Sequence, residues 1–432
     1  MESFQDMDKQ SLQDILNESF ERYNKFKALN LNLDMSRGKP GADQLDISEK
    51  YLQILPNNSD CFSEKNFDCR NYGIVDGLPE MKKIFGDMFE MSPDNVIVGG
   101  NSSLSMMYDT LARDMLFGNV DSDKPWSKLD KIKFLCPVPG YDRHFLVTQT
   151  FGFEMINVKM NADGPDMDEV EKYVSSDSSI KGIWCVPKYS NPDGITYSDD
   201  VVRRLASMKT AAKDFRIMYD NAYTVHHLTD NEDKLLNIMN ECIKFGNENR
   251  IYMYGSTSKI VYPGGGVAAM AASEDNVNYI KKLISVQTIG PDKLNQLRHT
   301  KYFKDLDGIN EHMKKFSLIL KPKFEVVLDI LDKELEGLNI ARWNKPSGGY
   351  FISLFTIDGC AKETVKLAKE CGVTLTPAGA TYPYGNDPDD SNIRIAPTFP
   401  PIEELKTAIE ILCICVKIAA VSKILDSSLR SE

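Results

Sequence analysis

The sequence has no C-x-x-C pair, and its nine cysteines, at positions 61, 69, 136, 185, 242, 360, 371, 413 and 415, are scattered. An odd, scattered set excludes a disulfide framework and fits free thiols in a reducing compartment. Long apolar runs are missing too. The most apolar stretch, Ile411 to Val421, is broken by Lys417 and falls well short of the roughly 20 residues a membrane helix needs. The first thirty residues hold neither the basic segment nor the apolar segment of a secretory signal, so the expected location is cytoplasmic. Cationic excess is absent: 51 Lys and Arg against 63 Asp and Glu give a net charge of -12. That disfavours nucleic acid or an anionic membrane as the main partner. No internal repeat and no low-complexity segment is present, and no metal is expected.

The 432 residues that are there exceed the size of one comfortable core, so two lobes are expected. Leu12, Ile15, Leu16, Phe20 and Tyr23 have helical spacing and predict a helix over 11–30, with Ser11 as its N-cap. Pro79 suits the first turn of another helix. Strands are predicted over 96–98, 133–136, 153–158, 180–186, 216–219 and 250–254, with helices such as 104–116 and 199–215 between them. That alternation indicates a mostly parallel α/β sheet. From about residue 310 the pattern changes. A long helix over 316–338, a glycine turn into a strand near 350, a helix over 362–371, strands at 373–376 and 393–395 and a final helix from 402 predict a smaller α+β lobe.

In parallel sheets ligands gather beyond the carboxyl ends of the strands, and the polar clusters of this chain fall there. Gly99-Gly100-Asn101-Ser102-Ser103, between a strand and a helix, has the geometry that binds phosphate at a helix N-terminus. No P-loop lysine follows, which argues against a nucleoside triphosphate. In the loop from Tyr254 to Gly266, Lys259 sits among Ser256, Thr257 and Ser258, uncrowded as an amine must be to condense with a carbonyl. Asp220 and Tyr223 follow one strand, Asn191 sits in a turn after another, and Arg394 comes late. A lysine, an acid, donors to a ring hydroxyl, a phosphate cradle and an arginine together are the set that pyridoxal phosphate requires.

These motifs resemble those of the fold type I pyridoxal-phosphate aminotransferases of the class I/II family, most nearly its MocR-like branch of aspartate aminotransferases. Ser36-Arg37-Gly38-Lys39-Pro40, Asn71-Tyr72-Gly73, Pro187 to Gly194, Asp220-x-Ala222-Tyr223, Ser256-x-Ser258-Lys259 and Asn392-Ile393-Arg394-Ile395-Ala396-Pro397 carry the resemblance, in order, across Leu33 to Leu425. It implies a large α/β domain, with a mostly parallel sheet of the seven-stranded type sandwiched by helices, plus a smaller α+β domain. The implied boundaries are 1–48 for an N-terminal segment of the small domain, 49–308 for the large domain and 309–432 for the rest of the small one.

The resemblance further implies the site. Lys259 would bind pyridoxal 5'-phosphate and, once displaced, move the proton from the substrate. Asp220 would keep the ring nitrogen protonated, and Asn191 and Tyr223 would bind the ring oxygen. Tyr141 would stack on the ring. Gly100, Asn101, Ser102 and Ser256 would hold the phosphate, and Tyr72 would reach the phosphate of a neighbouring subunit in a homodimer. Arg394 would clamp the substrate α-carboxylate, with Asn191 beside it and Gly38 closing over it. One departure stands out: many family members carry an arginine eight residues after the lysine, where this chain has Gly264-Gly265-Gly266-Val267. An anion nest of glycine N–H groups, or a cation such as Arg37 or Lys188, is the expected substitute. The expected reaction moves an amino group from aspartate to 2-oxoglutarate by a ping-pong route. Alanine, aromatic or aminoadipate donors and a β-lyase stay open. A non-catalytic effector domain is disfavoured, because about thirty residues before Ser36 are too few for a winged helix.

Overall fold

Segments that are mostly apolar, rather than apolar at alternate positions, belong in strands covered on both faces. Ile180–Cys185 and Arg216–Asp220 are buried at every residue and lie at the centre of the sheet. The computed structural model describes residues 3–430; residues 1–2 and 431–432, the outer ends of the first and last expected segments, lie outside them. The main sheet has eight strands, in the order Val96–Val98, Ala268–Ala272, Ile251–Ser256, Arg216–Asp220, Ile180–Cys185, Lys133–Val138, Glu154–Asn161 and Gly164–Pro165. The five from Ile251–Ser256 to Glu154–Asn161 run parallel, and Ala268–Ala272 is antiparallel to both its neighbours.

The expected seven strands thus gain a two-residue eighth at the edge. Ala268–Ala272 is not legible in the sequence, because alanine and methionine favour helices. Burial on both faces overrides that preference. The helix expected over 199–215 stops at Ser207. Met208 turns extended there, and Ala211 N–H donates to Val174 O at 2.7 Å, so Phe215 is buried as the chain enters the next strand. The first helix, Lys9–Lys27, is capped by Asp8 rather than Ser11: Asp8 Oδ1 accepts from Ser11 N–H at 2.8 Å.

A second apolar core collects Leu331, Leu354, Ile393 and Leu412 with Phe4, Leu12 and Tyr23 from the opposite end of the chain. The helix Lys9–Lys27 packs on the helix Ile402–Arg430, and Leu33–Asp34 pairs in parallel with Val373–Thr374. A three-stranded antiparallel sheet, Ala341–Trp343, Ile352–Thr356 and Asn392–Ile395, completes this part and places Arg394 opposite Ser353. The helix Leu306–Leu335, with Pro322 inside it, contributes to both cores.

Candidate active site

The carboxyl ends of the parallel strands open on a cavity of about 170 Å³ bordered by Lys259, Asp220, Tyr223, Asn191, Tyr141, Ser102 and Ser256. A larger cavity of about 820 Å³ shares Tyr141, Asn191 and Lys259 and extends to Gly38 and Arg394. Seven residues expected at the site from the sequence therefore meet in one small space.

Asp220 ends its strand with a buried carboxyl. Its Oδ2 lies 2.9 Å from Nε2 of His144, while Oδ1 has no hydrogen-bond partner. The His144 ring stacks on Trp184 at 4.3 Å between centres, 9° from parallel, and Trp184 Nε1 donates to Thr148 Oγ1 at 2.7 Å. An orphaned acceptor in an interior is costly unless something donates to it.

Lys259 Nζ donates to the Tyr223 hydroxyl at 2.7 Å and lies 4.4 Å from the centre of that ring. Its backbone carbonyl accepts from the Tyr350 hydroxyl at 3.4 Å. Part of the side chain borders the cavity, but protein around the amine keeps bulk water away. That burial pushes Lys259 below the usual lysine range, with Tyr141 and Asp220 pulling the other way and Arg394 adding to the depression. Burial raises the Tyr223 and Tyr141 hydroxyls.

The helix Ser103–Phe117 points its N-terminus into the same cavity. Its N-cap residue Ser102 makes no capping bond with its side chain, leaving the hydroxyl available. Ser256 Oγ donates to Ser258 Oγ at 3.1 Å, and Ser258 Oγ donates to the carbonyl of Asn101 at 2.9 Å. Gly100 and Asn101 stand behind Ser102 rather than on the cavity wall. Neither expected cation borders this space. Lys188 Nζ donates to Thr224 O at 3.1 Å and borders another cavity; Arg37 borders the larger one. The glycine loop does not line it either: Gly265 N–H donates to Tyr262 O, Val267 N–H to Thr257 Oγ1, and Asn295 Nδ2 donates to the Gly265 and Gly266 carbonyls.

Arg394 is buried, with its guanidinium carbon 4.9 Å from the centre of the Phe351 ring. Nη1 donates to Asp142 Oδ1 at 2.8 Å and to Asn191 Oδ1 at 3.2 Å, Nη2 donates to Thr376 Oγ1 at 3.2 Å, and Nε is unpartnered. Gly38 lies against Phe351: a Cβ there would come within 2.4 Å of Cζ. Tyr72 lies outside both cavities and is 77% exposed.

Sequence reasoning missed His144, Asp142, Thr376 and Tyr350, and gave Ser258 only as part of a motif. The spacing of Tyr141 and His144, three apart at the start of the helix Asp142–Thr150, was the one available signal. Among the described residues, no group of His, Cys, Asp and Glu is arranged to hold a metal ion. None of the described helices is long and apolar enough to cross a membrane.

The residues fit pyridoxal phosphate. The orphaned Asp220 Oδ1 suits a protonated ring nitrogen, Lys259 Nζ suits the cofactor's carbonyl carbon, and serine hydroxyls at a helix N-terminus suit a phosphate.

Sheet order, strand-end site and second α+β core define a fold type I transferase. The chain belongs to the aspartate amino-transferase family, whose model matches residues 7–428, and is an aminotransferase. It is 47% identical to a putative aminotransferase of Mycolicibacterium smegmatis, over 93% of this chain and 94% of that one. It is 44% identical to the aspartate aminotransferase of Corynebacterium glutamicum, over 97% and 96%. The crystal structure of an aspartate transaminase from Corynebacterium glutamicum superposes with a TM-score of 0.95 at 43% identity, covering 98% of this chain and 99% of that one.

Proposed function

We propose that the chain transfers the amino group of L-aspartate to 2-oxoglutarate in two half-reactions, with pyridoxal 5'-phosphate held in the smaller cavity. The observation that carries this reading is a pair of contacts there: Lys259 Nζ on Tyr223, and Asp220 on His144 with its second oxygen unsatisfied. The Corynebacterium glutamicum sequence and crystal structure named as aspartate aminotransferase and aspartate transaminase support the choice of donor.

When bound, pyridoxal phosphate supplies the electron sink that makes the substrate Cα–H acidic. Lys259 Nζ takes that proton, and its depressed pKa leaves more of it as free amine to do so. Asp220 keeps the ring nitrogen protonated through Oδ1, with His144 fixing Oδ2. Asn191 and Tyr223 bind the ring oxygen, and Tyr141 covers the ring face. Ser102 and Ser256, on the cavity wall, hold the phosphate, and Gly100 and Asn101 form the turn that leads into Ser102. Arg394 grips the substrate α-carboxylate, a bidentate task for which its planar fork suits it better than lysine would, and Gly38 closes the space above. Exposed Tyr72 meets the phosphate bound by a second copy, so the working form is a homodimer with shared sites, located in the cytoplasm. Residues 1–48 and 309–432 act as one small domain against a large domain over 49–308. The shared core and the pairing of Leu33–Asp34 with Val373–Thr374 support that division.

The test is an absorbance spectrum of the cofactor-loaded protein before and after L-aspartate alone. The band of lysine-bound cofactor is expected to give way to that of the aminated cofactor. A band unchanged by aspartate would remove aspartate as donor, and no band at all would remove the role of Lys259.

A further inference from the structure

The arginine assigned to the substrate carboxylate already carries a carboxylate of its own chain. Asp142 Oδ1 lies 2.8 Å from Arg394 Nη1, and this is the only anion paired with Arg394 among the described residues. Asn191 and Thr376, its other partners, are neutral acceptors. We infer that Asp142 competes with the substrate's carboxylate for Arg394 and must swing off the guanidinium before a substrate is gripped. This rests on the aminotransferase reading of the site and concerns its selectivity.

Three observations point to competition rather than to a fixed strut. First, Arg394 is held without Asp142: Nη1 keeps Asn191, Nη2 keeps Thr376 and the guanidinium keeps the Phe351 ring. Secondly, the Arg394 side chain is 7% exposed while that of Asp142 is 25% exposed, so the acid is the half of the pair with open space beside it. Water that reaches one half of an ion pair screens it and eases its exchange for another. Thirdly, the displaced carboxylate has somewhere to go. Asp142 is the first residue of the nine-residue helix Asp142–Thr150, where the helix dipole favours an anion. Arg37, Lys39, Arg143, Lys366 and Lys369 border the same large cavity.

A substrate carboxylate thus exchanges one ion pair for another at Arg394 instead of neutralising a bare cation. The exchange lowers affinity for any carboxylate. It also holds the clamp near neutrality, so an anion without the geometry to displace Asp142 gains little from Arg394. A second carboxylate on the ligand meets the cations on the cavity rim, which favours dicarboxylates over monocarboxylates for entry.

The experiment is a titration of the holoenzyme with maleate, a dicarboxylate with no amino group to transfer, followed by the absorbance of the bound cofactor. Asp142→Asn is expected to lower the maleate Kd roughly threefold to tenfold, and to lower the KM for both substrates by more than it changes kcat. Asp142→Glu, which keeps the charge, is expected to stay closer to the unmodified protein. Should the Asn variant fold poorly, Asp142→Ser makes the same test. A maleate Kd that is unchanged or higher in the neutral variants overturns the inference and makes Asp142 a strut for Arg394. An unmodified enzyme that transaminates L-aspartate while its variants bind maleate unchanged loses only this inference; one that does not respond to any amino acid loses the underlying reading.

Discussion

Nε2 of His144 is 2.9 Å from Oδ2 of Asp220, and the imidazole is pinned flat against Trp184. The carboxylate is therefore aimed by a residue that never reaches the reacting atoms. His144→Ala should cut kcat roughly tenfold to hundredfold, the range seen when an orienting partner of a ligand is lost. It should also cost about 1–3 kcal/mol of stability by leaving a buried carboxylate oxygen unpaired. Steady-state kinetics and urea unfolding read the two effects separately; a variant with full kcat would remove the aiming role.

Lys259 is pushed down by burial, so at a given pH more of it is free amine than of any exposed lysine. In the cofactor-free protein, amine-directed labelling of Lys259 should begin at lower pH than labelling of surface lysines, as followed by mass spectrometry. Lys259→Ala should abolish turnover with the fold intact.

Gly38 has no space for a side chain on the Phe351 side, and Phe351 underlies Arg394. Overpacking of this sort costs about 1–3 kcal/mol, and here it falls on the ring beneath Arg394. Gly38→Ala should raise KM for both substrates about tenfold with a small change in Tm. A variant that loses stability but not affinity would place Gly38 outside the site.

A Cβ on Gly266 would lie 3.0 Å from Ser258 Oγ and 3.1 Å from Ser258 N. Its φ of -69° is ordinary, so the effect of Gly266→Val must come through that contact. The variant should retain pyridoxal phosphate about tenfold less well on dialysis. Unchanged retention would mean that the loop has no part in holding the phosphate.

Burial pushes His226 down to about 3 and His227, His299 and His312 down to about 4. Between about pH 6.5 and pH 4 the unfolded chain binds protons on these imidazoles that the folded chain does not, so stability falls as pH falls through that window. Burial raises Asp114 to about 7 and Asp193 to about 6, which acts in the opposite direction. Four imidazoles against two carboxyls leave two protons, up to about 3 kcal/mol per pH unit near pH 5. The urea midpoint should drop steeply below pH 6 and sag slightly above pH 6.5; a flat profile from pH 6.5 to 4.5 would contradict the burial of these histidines.

The sequence carries the alternation of strands and helices and the residues at the strand ends, because turn formers and reactive side chains cluster where parallel strands stop. It does not carry Ala268–Ala272, whose composition suits a helix and whose state is set by burial on both faces. Lys259, Asp220, Asn191, Tyr223 and Arg394 were legible because each sits in a motif. His144 and Asp142 were not, since their partners lie 76 and 252 residues away. Lys188 and Arg37 misled for the same reason: charge is visible in a sequence, while the direction of a side chain is not.

The pairing of Leu33–Asp34 with Val373–Thr374, and of the first helix with the last, has a consequence for synthesis. A ribosome emitting about 5–20 residues per second reaches the closing helix roughly 20–80 seconds after releasing the opening one. Throughout that interval Leu12 and Tyr23 lack the closing helix, while the central sheet is complete as soon as Ala272 has emerged. The lobe that carries Arg394 is thus assembled from both ends of the nascent chain and closes last, so a translation product stalled between Ala272 and Arg394 would present the residues of the smaller cavity without that arginine.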